Sequence, residues 1–441
     1  MINHRRACFA VAAAIAALAA APVFAADAPG KGKILAGFFE EWSIYYAGYG
    51  LANLESNGSA AKLTHLIYAF ANVTPTGCAI ADPWADFENN NLAPVGGIPD
   101  TWPVFGNFAE IPKLRQLHPN LKMLISLGGA SAANTAGFVQ AASTAAGRKA
   151  LASSCIDMFI NGNVGSDWNG PITIPGLFDG FNIDWEFPTA GDKQNFTALL
   201  AEFRAQLDAL GAQTGKHYIL SYDGPAGSQN YTNIELAKTA KLVDFITIDG
   251  YNYAGSWDTQ TNHASPLFDS RQNPDFGQGL SINDTVNAYL KAGVPPQKYV
   301  MGVPLYGAGW TGVPNHNHGL YQSSTGPSPV PNANGAGLCP DLSGNTPGCD
   351  TLLTPGVATY STLAKLTANG YYKNYDLERV AVSLYSPSAE TFYTYDDPVT
   401  AGLKMWYVNA RGLGGGFVWA LKDDDAKGTM VKTMANALRI P

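Results

Sequence analysis

The sequence predicts an α/β fold, a (β/α)8 barrel with an α+β insertion between its seventh and eighth strands. Three observations lead there. Eight short apolar runs alternate with helix-period patterns from residue 33 to the end, as in a parallel sheet wound with helices. The chain has 441 residues, enough for a barrel of about 250 residues plus an insertion. The fourth run also carries polar residues on one face near its end, where barrel enzymes place their sites.

The runs cover 34–39, 63–73, 121–127, 178–187, 218–222, 245–248, 299–305 and 416–421. Helical patterns lie between them, as at 195–210 and 281–292. Over a hundred residues separate the last two runs. The first part of that gap, 311–355, is rich in Pro, Gly, Asn and Ser. The second, 357–395, holds a helical stretch and the strand-like segments VAVSLYS and FYTY. Residues 311–395 are therefore expected to form an inserted subdomain on the barrel rim. A helix at 400–411 then leads into strand eight.

Residues 1–25 read as a secretory leader. Arg5 and Arg6 precede an Ala-rich run over 7–21, and Val23-Phe24-Ala25 offers a small-residue cleavage site. The expected mature chain, 26–441, is one barrel unit exported from the cell. No later stretch is long and apolar enough to span a membrane. The net charge of −8 disfavours nucleic acid and anionic membranes, which call for basic patches. A neutral polymer is not repelled. Cys8 departs with the leader, leaving Cys78, Cys155, Cys339 and Cys349. An even number in an exported chain suggests disulfides. Cys339 and Cys349 bracket a Gly/Pro/Asn-rich loop and are expected to pair. Cys78 with Cys155 follows only by elimination. No Cys-x-x-Cys occurs, and His316 and His318 sit in a polar loop without an obvious third ligand, so neither a metal nor a cofactor is expected.

The fourth run reads Asp179-Gly-Phe-Asn182-Ile-Asp184-Trp-Glu186-Phe. Side chains alternate along a strand, so Asn182, Asp184 and Glu186 share one face and Ile183, Trp185 and Phe187 the other. With the apolar face against the helices, the polar three point inward. Such a ladder is unfavourable in a barrel interior unless its groups are paired or used. Two carboxyls about 6–7 Å apart shift each other's pKa, so one can stay protonated beside an ionised partner. Asp179 has the opposite parity. It is expected to fix the start of the strand or to bond Ser126.

This segment resembles the D-x-x-D-x-D-x-E signature of glycoside hydrolase family 18, the chitinases. Ser126-Leu127-Gly128-Gly129 resembles the family's S-x-G-G segment, and Phe38-Phe39-Glu40-Glu41-Trp42 its strand-one segment. Tyr251-Asn252 falls where strand six carries Tyr-Asp, and Trp419 matches a strand-eight Trp beneath the cleavage subsite. The resemblance covers nearly the whole mature chain and implies a substrate-assisted mechanism. Glu186 would be the acid. Asp184 would hold the substrate's acetamido N–H, and Tyr251 would donate to the same group. Trp419 would floor a sugar, with Phe38, Phe70, Trp42 and Trp310 as weaker stacking candidates that read equally well as core. Chitin or chitooligosaccharides are the implied partners, met by a monomer. Three departures stand out: Asn182 replaces the middle Asp, Asn252 replaces the Asp after Tyr251, and Asp249 occupies a usual Met position. Two other readings remain open, an endo-β-N-acetylglucosaminidase acting on glycoprotein glycans and a chitin-binding lectin.

Overall fold

A computed structural model describes residues 32–440, apart from 102, 168–169 and 332–353. Eight parallel strands close on themselves: β1 (Ile34–Glu40), β2 (His65–Thr74), β3 (Lys122–Gly128), β4 (Gly180–Asp184), β5 (Ile219–Gly224), β6 (Phe245–Ile248), β7 (Tyr299–Pro304) and β8 (Gly415–Trp419). Each pairs with its neighbour in sequence order, and β8 pairs with β1 to shut the barrel. A short strand, Gly77–Ile80, turns back antiparallel on β2.

Strand parity sorts the side chains into two apolar layers. Phe39, Tyr68, Ile125, Ile183, Tyr222, Ile248, Val303 and Val418 belong to the large core between barrel and helices. Ala36, Phe38, Ile67, Ala69, Leu124, Phe245, Val300 and Phe417 fill the smaller core inside the barrel. The helix Lys193–Thr214 shows how the outer layer is built. It buries Phe196, Leu199, Leu200, Phe203 and Leu207 along one stripe and ends at Gly215, whose φ of 70° favours glycine.

The long segment between β7 and β8 forms its own sheet. Its strands run in the spatial order Gly326–Pro327, Tyr306–Thr311, Thr391–Tyr395, Ala381–Ser386, Tyr372–Asp376, with Val357–Thr359 also pairing to Tyr306–Thr311. This sheet begins at Tyr306, one residue after Leu305, and so takes in residues that the loop-rich composition from 311 onward did not indicate. Helix Pro398–Ala410 follows, started by Asp397, whose side chain accepts from the N–H groups of Val399 and Thr400.

Cys78 and Cys155 form a disulfide that ties the Gly77–Ile80 strand to the end of helix Ala145–Cys155. Cys339, Cys349 and the leader-like residues 1–25 lie outside the described residues. The disulfide closes a loop of sequence separation 77. Cross-links over loops of this size typically contribute about 2–4 kcal/mol. Replacing both cysteines with alanine is therefore expected to lower the urea midpoint by a corresponding amount. Equal midpoints for the two proteins would mean that the bond does not form or adds nothing.

Candidate active site

Asn182 is the hydrogen-bonding centre of the barrel interior. Its Nδ2 donates to Ser221 Oγ at 3.0 Å and to Thr247 Oγ1 at 3.3 Å, while its Oδ1 accepts from Ser126 Oγ at 2.9 Å. Strands β3 to β6 are thereby joined through one buried amide. The side chain is fully satisfied and adds no charge. Asp179, at the other parity, accepts from Arg115 Nη1 and from the Met123 N–H, both at 2.9 Å. It anchors the start of β4 and does not bond Ser126, whose hydroxyl is spent on Asn182.

Asp184 ends β4 and is 4% exposed. Its Oδ1 has no hydrogen-bond partner among the described residues. Burial, and then the charges of Glu186 and Asp249, push its carboxyl well above the usual carboxylate range. Glu186 stands two residues farther on, and burial raises its pKa too. The backbone between them is clamped. Gly129 N–H donates to Asp184 O at 2.9 Å, and Thr135 Oγ1 donates to Glu186 O at 2.9 Å. Gly128 has φ of 114°, and a Cβ there would sit 2.2 Å from Asp184 O, so only glycine permits this approach. Glu186 borders an open cavity of about 730 Å³, with Thr135, Gln140 and Val139 on its wall.

Tyr251 lies just past β6 with its ring edge-on to Phe417 at 6.3 Å and Tyr306 at 5.9 Å. Asn252 has φ of 59°, a left-handed conformation that asparagine tolerates, and its Oδ1 accepts from Tyr306 Oη at 2.8 Å. Asp249 is pushed up to about 7 by burial, with the Glu186 charge adding and a hydrogen bond from Tyr251 opposing. Asp223 on β5 is a fourth carboxyl of the same cluster, raised by burial and by the charges of Asp249, Asp184 and Glu186. Sequence reasoning missed it. The signal was there: Ser221 and Asp223 share one parity in ILSYDG, but two polar residues on a short strand stand out less than three.

Three rings form a continuous run across the mouth. Trp42 stacks on Phe70 at 5.9 Å and 27°, and Phe70 on Trp419 at 5.8 Å and 26°. All three are partly open to solvent, whereas Phe38 is buried beneath Trp419 at 5.2 Å. Trp310 is not part of this surface. It is fully buried against Val313 and Phe392 in the inserted sheet, and its Nε1 donates to Asp258 O at 3.0 Å. A sugar ring cannot reach it. His316 and His318 are exposed.

The loop carrying Tyr251 is held from behind by an ion pair. Lys404 Nζ donates to both oxygens of Asp396, at 2.7 and 2.6 Å, and to Ser265 O and Oγ. Ser265 Oγ in turn donates to Gly250 O at 2.6 Å, next to Tyr251. Lys404 and Asp396 are both almost wholly buried.

An acid pair at the C-terminal mouth of a (β/α)8 barrel, beside an open aromatic run, is the layout of a glycoside hydrolase. The chain belongs to the glycosyl hydrolases family 18, whose family model matches residues 34–424. It is 31% identical to chitinase A1 of Niallia circulans over 94% of this chain and 59% of that protein. It is 30% identical to chitinase 1 of Aphanocladium album over 88% of this chain and 81% of that protein. The chain thus spans about six-tenths of the length of chitinase A1. The catalytic domain of a psychrophilic chitinase B from Arthrobacter TAD20 superposes with a TM-score of 0.81 at 30% identity, covering 93% of this chain and 96% of that one.

The Lys404–Asp396 pair gives a direct test of how the mouth is supported. Lys404→Ala leaves a buried, uncompensated carboxylate and is expected to lower stability by about 3–5 kcal/mol. The double change Lys404→Met with Asp396→Leu removes both charges and should recover most of that loss. Urea unfolding of the three proteins is the measurement. A single variant as stable as the parent would show that the pair does not hold the loop.

Proposed function

We propose that this protein is a secreted chitinase that cleaves β-1,4 bonds between N-acetylglucosamine units with retention, using the substrate's own acetamido group as nucleophile. The observation that carries this reading is the buried Asp184, with one oxygen free of partners among the described residues, two residues before a protonatable Glu186. A group that must accept a substrate N–H needs such a free acceptor, already stripped of water. Glu186, whose pKa burial raises, delivers its proton to the glycosidic oxygen. The acetamido oxygen attacks the anomeric carbon as that bond breaks. Asp184 accepts from the acetamido N–H and offsets the positive charge of the oxazolinium intermediate. Tyr251 Oη, which otherwise donates to Asp249, turns its one proton to the acetamido oxygen when substrate is bound. Water then opens the intermediate on the same face, with Glu186 now taking its proton, so two inversions give net retention.

The stacked Trp42, Phe70 and Trp419 suit the apolar faces of successive sugars. Asn182 fixes Asp184 through the strands around it and takes no proton itself. Asp179 stays a structural anchor, and Asn252 positions Tyr306 beside Tyr251. The chemistry calls for neither metal nor cofactor. Export is supported by the leader-like residues 1–25 and by a disulfide, which suits an oxidising compartment. The relatives named as chitinases support the substrate class.

Glu186→Gln keeps the shape of the side chain and removes the transferable proton. Turnover of a soluble chitooligosaccharide is expected to fall by at least about 10²–10⁴-fold while binding persists. Near-parental turnover would remove Glu186 from the role of acid. The parent enzyme should release N-acetylated oligosaccharides from colloidal chitin, appear first as the β-anomer by NMR, and leave cellulose and glycoprotein glycans largely intact. Glycan release without chitin hydrolysis would replace the substrate class.

A further inference from the structure

Two carboxyls at the mouth have no part in the scheme above, yet they face its central residues. Asp223 on β5 stands opposite Thr247 on β6. Between β4 and β5, Asn182 is opposite Ser221 and Ile183 opposite Tyr222, so the next rung brings Asp184 beside Asp223. Asp249 follows β6 directly, and its N–H donates to Gly224 O at 3.0 Å, which holds it to the residue after Asp223. Tyr251 hydrogen-bonds Asp249 from two residues farther on. Four carboxyls, Asp184, Glu186, Asp223 and Asp249, are thus gathered from three adjacent strands. Among the described residues no ion pair offsets any of them.

Like charges at such spacing do not all ionise in a low-dielectric site. The groups that face Asp223 are Asp184 and Glu186 from the end of β4, Thr247 from β6, and Asp249 beyond it; Asp249 exerts the largest charge effect of the three acids. Thr247 stands opposite Asp223 with its hydroxyl donated to Tyr222 O at 3.2 Å and accepting from Asn182 Nδ2 at 3.3 Å. Meanwhile position 182, directly below Asp184 on β4, offers an amide locked by three hydroxyls. It cannot take or share a proton.

We propose that Asp223 and Asp249 carry a single negative charge between them and act as the positioning pair that sets the charge around Asp184 and Glu186, where position 182 offers no carboxyl. The proposal rests on the reading of Asp184 and Glu186 given above. Mutual repulsion in a low-dielectric site leaves one of the two protonated while the other is ionised. That charge keeps the proton on Glu186 to higher pH and makes Asp184 harder to ionise. The two carboxyls bear on the reaction through these neighbours and are not catalytic residues.

Asp223→Asn or Asp249→Asn removes a potential negative charge, so the remaining acids ionise at lower pH. Both limbs of the kcat/KM profile on a soluble chitooligosaccharide are expected to move to lower pH, by about one unit for charges at this spacing. Most of the turnover should remain at the shifted optimum. Adding Asn182→Asp to Asp223→Asn returns a carboxyl to the cluster and should carry the profile back upward. Profiles superimposable on the parent's would overturn the pair, as would a folded Asp223→Asn or Asp249→Asn protein inactive at every pH. Should one variant fail to fold, the other decides. Glu186→Gln separates the two levels. If it is inactive while the profiles superimpose, only the pair fails; if it is active, the reading beneath the pair fails.

Discussion

Burial of carboxyl groups in the mouth of the barrel is the constraint from which the rest of the site follows. An ionised carboxylate is strongly disfavoured away from water, and two close together more so. Asp184, Glu186, Asp223 and Asp249 are all raised, with burial the first cause in each. Each carboxyl therefore holds its proton to higher pH than an exposed one would. Acid catalysis needs such a group, and surface carboxyls do not provide it.

The barrel makes that arrangement sustainable. Its walls put apolar side chains on both faces, and a connected group of polar side chains runs through one sector across β3 to β6. There Ser126, Asn182, Ser221 and Thr247 satisfy one another. This network sits directly beneath the carboxyls and holds them without neutralising them. Gly128 and Gly129 let the backbone close under Asp184. The buried Lys404 binds Asp396 and the Ser265 backbone and so braces the Tyr251 loop from behind.

Much of this was legible in the chain. The eight strands, the inward ladder of Asn182, Asp184 and Glu186, and the outward Ile183 follow from period-two alternation, a local property. Contacts between distant segments were not. Asp179 meets Arg115 across a separation of 64, and nothing local distinguishes that from a bond to Ser126. The same holds for Cys78 and Cys155, which elimination alone could pair. Trp310 follows a barrel strand and so read as well for sugar stacking as for core. It lies instead in an antiparallel sheet whose start at Tyr306 leaves no break in the apolar pattern after β7. Asp223 was readable by parity but needed its neighbours on β4 and β6 to gain meaning.

The account turns on Glu186 being held protonated by its surroundings. The most direct measurement is a titration of side-chain carboxyl carbons by ¹³C NMR in protein labelled at glutamate and aspartate, with Glu186→Gln used to assign the resonance. The expected result is a Glu186 carboxyl that titrates clearly above the ordinary glutamate range, and whose titration moves when Asp184 is changed to Asn. A Glu186 resonance that titrates as an exposed glutamate does, indifferent to Asp184, would contradict it.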